Sequence, residues 1–186
     1  MTGKMSTDRK LLLVGLFAAL SISLGFLLSA VPNVELMTLT IFLSGVFLGV
    51  KAGASVGVIS ISIYSLFNPF GAPMPQLLFA QITGFAVIGA AGGIVSPLFD
   101  RIGRKGSVLL SGIVGMAVTL IYDLMTTIAT TLIVSGTEGF FEALKGVFIT
   151  GSFFLLIHVV SNTVLFALSV VSILEAKKIW EKGRAV

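Results

Sequence analysis

Long apolar runs, cut at wide intervals by a handful of charges, constrain this chain more than any other feature. Charged residues make up 11% of its 186 residues, against about 25% in an ordinary soluble domain. Apolar residues make up 56%, and the mean hydropathy is +1.10. So few charges cannot cover a water-facing surface, which leaves lipid as the solvent. Such hydrophobicity excludes intrinsic disorder. With no Cys there is no disulfide scaffold, no thiolate zinc site and no thiol nucleophile. The net charge of +4 comes from basic residues scattered between apolar runs, which disfavours nucleic-acid binding. The expected fold is all-α: one integral membrane domain over residues 1–186, a polytopic six-transmembrane-helix bundle.

Cutting the apolar runs at charges and turn residues predicts spans over 11–31, 36–50, 52–67, 76–97, 107–134 and 146–174. A hydrocarbon core of ~30 Å needs about 20 helical residues, so the second and third spans are short. They share one stretch interrupted only by Lys51-Ala52-Gly53. Reading that stretch as a single span would put Lys51 at the bilayer centre, at a cost of ~2.5–3.5 kcal/mol. Leu11–Val31 is too long for a signal-peptide core and no small-residue cleavage site follows it, so it reads as a retained helix.

Orientation follows the basic residues. With the N-terminus inside, the inner side holds Lys4, Arg9, Lys10, Lys51, Arg101, Arg104, Lys105, Lys177, Lys178, Lys182 and Arg184, and only Lys145 lies outside. The expectation is a multi-pass protein of the cytoplasmic membrane with both termini in the cytoplasm. The outer connections are short and stiff. Pro32-Asn33-Val34-Glu35 is the first, and Asn68-Pro69-Phe70-Gly71-Ala72-Pro73-Met74-Pro75 the second. Small residues spaced by four recur in the spans, including Gly45 and Gly49, Gly53 and Gly57, and the first-span stripe Gly15, Ala19 and Ser23. Such stripes let helix backbones approach, within the bundle or against a second subunit.

Polar groups inside apolar spans are costly and so mark candidate sites. Asp123 is the one acid well inside a span, in the outer third of the fifth. Thr126, Thr127 and Thr130 share its helix face. His158, the only histidine, falls near the midplane of the sixth span, with Ser161 and Asn162 one turn on. Gln76 and Gln81 open the fourth span; Tyr64 and Asn68 close the third. Their amides and phenol can bond a ligand without a buried charge. One His, one deep acid and no Cys disfavour a metal site. No phosphate-binding Gly-x-x-x-x-Gly-Lys-Ser/Thr loop is present, so ATP is not hydrolysed here by that route. No inverted repeat is evident between the halves. An intramembrane serine protease needs a second catalytic element that one histidine cannot supply, and Gly53-Ala54-Ser55 runs into Val56. The chain does not read as an enzyme.

The outline resembles the substrate-binding S component of energy-coupling factor (ECF) vitamin transporters over nearly the whole chain. The resemblance lies in Pro32-Asn33-Val34-Glu35 followed by Phe42-Leu43-Ser44-Gly45-Val46-Phe47-Leu48-Gly49, in Tyr64-Ser65-Leu66-Phe67-Asn68-Pro69-Phe70-Gly71, and in Tyr122-Asp123-Leu124-Met125-Thr126. It implies a subunit of an ABC-type importer that binds a vitamin or precursor from outside. That subunit would deliver its cargo inward with a transmembrane scaffold and two ATPases. No cofactor would be bound by this chain, since the partners hydrolyse the ATP. Family members dock through Ala-x-x-x-Ala on the first helix; here Gly15, Ala19 and Ser23 keep the spacing but not both alanines. The implied pocket lies in the outer half, over Asp123, Thr126, Thr127, Gln81, Asn68 and His158, with Asn33 and Glu35 in a covering loop. Trp180, the sole tryptophan, lies at the inner end, so no Trp is expected in that pocket. The alternatives are a self-contained proton-coupled carrier using Asp123, or a structural subunit of a membrane complex.

Overall fold

Residues 6–30, 36–68, 70–136 and 139–183 are described in this computed structural model. Among them are six α-helices and no strand: α1 (Thr7–Leu27), α2 (Met37–Leu48), α3 (Val50–Leu66), α4 (Pro75–Phe99), α5 (Arg104–Val134) and α6 (Phe140–Gly183). Four of them, α1, α4, α5 and α6, are long and apolar enough to cross a membrane. With 12 and 17 residues, α2 and α3 reach only ~18 and ~26 Å.

The break between α2 and α3 falls at Gly49, not at Lys51-Ala52-Gly53, which instead form the first turn of α3. Gly49 has φ +89° and ψ 170°, a backbone state open essentially to glycine alone. That single residue reverses the chain. Gly53 and Gly57 of α3 meet Gly89 and Phe85 of α4, an antiparallel register. Phe42 of α2 meets Gly92, and the Ser96 hydroxyl donates to the Val46 carbonyl, a parallel one. The sixth helix also departs from expectation. It starts at Phe140, six residues before Gly146, and runs 44 residues, or ~66 Å. Its last turns therefore extend past any bilayer of ordinary thickness.

Consecutive helices alternate in direction, and α2 is the centre. Its residues Met37 to Gly45 are all buried, against α1, α3, α4 and α6. A helix apolar on every side is one enclosed on every side. The closest approach is at Gly45, Gly53 and Gly89, where α2, α3 and α4 meet. A Cβ on Gly89 would lie 2.1 Å from the Gly53 carbonyl oxygen, and one on Gly45 would lie 1.9 Å from that of Gly89. The glycine spacing thus serves packing within this chain.

The distribution of polarity is inverted relative to a water-soluble domain. Leu12, Phe79, Leu109 and Leu168 are 64–70% exposed, whereas Ser21, Ser44, Ser60, Ser111, Thr119 and Asn162 are buried. Ser21 of α1 donates to Ser60 of α3 at 2.6 Å, so the buried hydroxyls partner one another or helix carbonyls. An apolar exterior on every long helix suits lipid. At one end of the bundle the charges gather. Arg104 pairs with Glu175 at 3.2 Å, Lys178 with Asp100 at 3.4 Å, and the Lys177 ammonium lies 5.0 Å from the Phe47 ring centre.

A polar pair and a cleft between the fifth and sixth helices

The antiparallel contact of α5 and α6 forms a ladder stepped by four residues on each side. At its lowest rung Gly115 faces the Phe166 ring, where a Cβ would sit 2.6 Å from the ring carbon. On the next, the Asn162 side-chain amide donates to the Thr119 hydroxyl at 3.0 Å, and that hydroxyl donates to the Gly115 carbonyl at 2.8 Å. At the third, Asp123 Oδ1 and His158 Nδ1 are 2.8 Å apart. Both side chains are nearly enclosed, Asp123 at 12% and His158 at 7% exposure. Steps of four on two antiparallel helices keep successive pairs on one seam. The sequence-based depths put Asp123 in the outer third and His158 near the midplane; the earlier start of α6 brings the two to one level.

The α4 helix braces this rung. A Cβ on Gly84 would lie 2.7 Å from Tyr122, so glycine lets that ring pack flush on α4. Tyr122 then stands edge-on to Phe85, with ring centres 5.0 Å apart, and edge-on to His158, with centres 6.0 Å apart. The imidazole is thereby held from two sides, by the carboxylate and by an aromatic edge. One atom is left over. Asp123 Oδ2 is buried with no hydrogen-bond partner among the described residues, and so is Asn162 Oδ1 one turn below. Two acceptors without donors are a chemical demand, since buried polar groups are ordinarily satisfied.

Toward the end opposite the charged rim, the two helices part. A cleft of about 170 Å³ opens there. Its α5 wall is Asp123, Thr126, Thr127 and Thr130. Its α6 wall is Val147, Phe148, Gly151, Phe154, Leu155 and His158. The Thr126 hydroxyl is turned to its own helix, donating to the carbonyls of Tyr122 and Asp123 at 3.1 Å each. Gly151 lies in the α6 wall, where a Cβ would meet nothing within 4 Å. Among the described residues no three His, Cys, Asp or Glu side chains converge on a point that could hold a metal ion.

Five expected site residues thus meet: Asp123, Thr126, Thr127, Thr130 and His158. Asn162 supports the pair from below without lining the cleft. The others lie elsewhere. Gln81 accepts from the Ser65 hydroxyl at 2.9 Å, a link between α3 and α4. Tyr64 packs on Phe26, ring centres 5.0 Å apart, and sits over Gly25 of α1. Asn68 caps its own turn, taking the Phe70 N–H on its side chain at 2.8 Å. Gln76 is exposed in the first turn of α4. The cleft beside Asp123 is walled by α5 and α6, and the α3 and α4 residues expected with it lie elsewhere. Asn33, Glu35 and the Trp180 side chain lie outside the described residues. Apart from His158, the α6 wall escaped the sequence reading, although Val147, Gly151, Leu155 and His158 follow helical spacing. Apolar residues in an apolar span carry no mark that separates a cleft wall from a lipid face.

On α1, Ala18, Ser21 and Gly25 turn inward. Gly15, Ala19 and Ser23 are exposed, a Cβ on Gly15 would meet nothing within 4 Å, and Ser23 donates to the Ala19 carbonyl at 2.8 Å. The stripe of small residues faces away from the bundle. No protein-family profile, no curated protein and no solved structure matches this chain.

Proposed function

We propose that this chain is the substrate-binding subunit of an ECF-type ABC importer in the cytoplasmic membrane. It binds a vitamin-like small molecule from the outer side, in the cleft beside Asp123 and His158, and passes it inward in complex with a transmembrane scaffold and two ATPases. In this reading all six helices form the membrane domain, and both termini face the cytoplasm with the charged rim. The observation that carries it is the bare small-residue stripe on α1. Gly15, Ala19 and Ser23 point outward while the neighbouring Ser21 is tied to Ser60. Small residues at that spacing admit a second helix at close range, which is what docking on a scaffold needs. ATP chemistry then belongs to the partners.

The test is assembly. Co-purification with scaffold and ATPase subunits is expected for the wild type and lost for Ala19→Trp, with the small molecule that co-purifies still held by the variant. Intact assembly of Ala19→Trp would overturn the assignment. The Asp123–His158 contact favours a second reading, a lone proton-coupled carrier, because a carboxylate and an imidazole in contact can exchange a proton. Liposomes separate the two: a carrier accumulates substrate under a proton gradient with no ATPase present.

A further inference from the structure

We infer that the cleft between α5 and α6 takes a small, flat, N–H-rich cation, such as an amidine or a protonated amino-heterocycle, an assignment that rests on this cleft being the substrate site. Three features lead there. The first is the donor–acceptor balance. Asp123 lines the cleft, its Oδ1 is bonded to His158, and its Oδ2 is buried without a donor. A ligand N–H that reaches this carboxylate would hydrogen-bond it, and a cationic one would do so with a charge-assisted bond. The second is charge. No Lys or Arg lines the cleft, and Lys145 on α6 is bonded to Glu142 at 2.7 Å. An anionic ligand would meet Asp123 with no permanently charged cation on the cleft wall to attract it. The third is shape. At about 170 Å³ the cleft is below the ~300–1,000 Å³ of sites for drug-sized molecules, so it holds a single ring and its substituents. The rings of Phe148 and Phe154 stand on its α6 wall, and aromatic faces attract cations.

Three probes of one size and shape isolate the charge: benzamidine, benzamide and benzoate, titrated calorimetrically into the purified protein in detergent. Benzamidine is expected to bind at least about tenfold more tightly than benzamide, a gap of about 1.4 kcal/mol, with no binding of benzoate. Asp123→Asn, nearly isosteric, should weaken benzamidine by about tenfold or more and leave benzamide unchanged. The comparison of probes on wild-type protein decides the charge class even if that variant fails to fold. Benzoate binding as well as benzamidine, an unchanged benzamidine affinity in Asp123→Asn, or no binding of any probe at about 10 mM would each overturn the inference. Capture of scaffold and ATPases is scored separately. Assembly without benzamidine binding would remove the ligand class alone. Benzamidine binding without assembly would remove the importer assignment alone.

Discussion

Replacing His158 with leucine strands the Asp123 carboxylate. In the intact pair one oxygen takes a 2.8 Å contact and the other has none. After His158→Leu neither oxygen has a partner, in a position 12% exposed. Removing one member of a buried ion pair in a soluble protein costs about 3–5 kcal/mol. One effect lowers that figure here: a membrane-inserted unfolded state also finds partners, which reduces side-chain bonds to ~0.6–1.7 kcal/mol. The net expectation is about 2–3 kcal/mol of destabilisation. Asp123→Leu removes one bond from a group that tolerates neutrality, at about 1 kcal/mol. If the two sites were independent, the double variant would lose about 3–4 kcal/mol. With both polar groups gone that rung is apolar, and the double variant should lose about 1 kcal/mol or less. The cycle thus carries a coupling of about 2–3 kcal/mol. Reversible unfolding in mixed micelles, titrated with SDS and followed by circular dichroism, measures it. Additivity within about 0.5 kcal/mol would refute the claim that the pair acts as a unit.

The glycines give sharper contrasts. Gly89→Ala drives a methyl group onto the Gly53 carbonyl and should cost about 2–3 kcal/mol, whereas Gly15→Ala, with open space around it, should change stability by less than about 0.5 kcal/mol; denaturant titration of both variants compares them directly. Gly49→Ala forces an L side chain into φ +89°, ψ 170°, and should lower stability by about 1–3 kcal/mol, read as a drop in Tm. The chain has no Cys, so single cysteines report topology cleanly. Lys145→Cys is expected to react with a membrane-impermeant maleimide on intact cells, and Lys105→Cys only after permeabilisation; the reverse pattern would invert the proposed orientation.

Much of the fold was legible because lipid imposes one rule along the whole chain. Apolar runs of span length, cut at Pro32-Asn33, at Asn68-Pro69 and between Phe99 and Arg104, outlined the helices to within a few residues. The boundaries that slipped did so for local reasons. Gly49 stops α2 by backbone conformation, without a charge or a proline to announce it. The α6 helix continues past Leu174 because Glu175, Lys177 and Lys178 find partners at the charged rim. At the site, Asp123, its threonine face and His158 stood out because ionisable groups are rare in such spans. Gln81, Tyr64 and Asn68 stood out as uncharged hydrogen-bonding groups beside apolar runs, and in the structure they make helix contacts and a turn.

The sequence by itself determined that this is an all-helical chain suited to lipid, where its longer helices run, and which polar groups need an explanation. Periodicity and composition act along one helix at a time, and they suffice for that. Only the tertiary structure decided that Asp123 meets His158 rather than Gln81, that the small residues of α2, α3 and α4 close on one another while Gly15, Ala19 and Ser23 face outward, and that the cleft beside Asp123 is walled by α5 and α6. The physical reason is register: which rung of one helix lies beside which rung of the next is set by the packing of both, through contacts such as Gly84 on Tyr122 and Gly115 on Phe166.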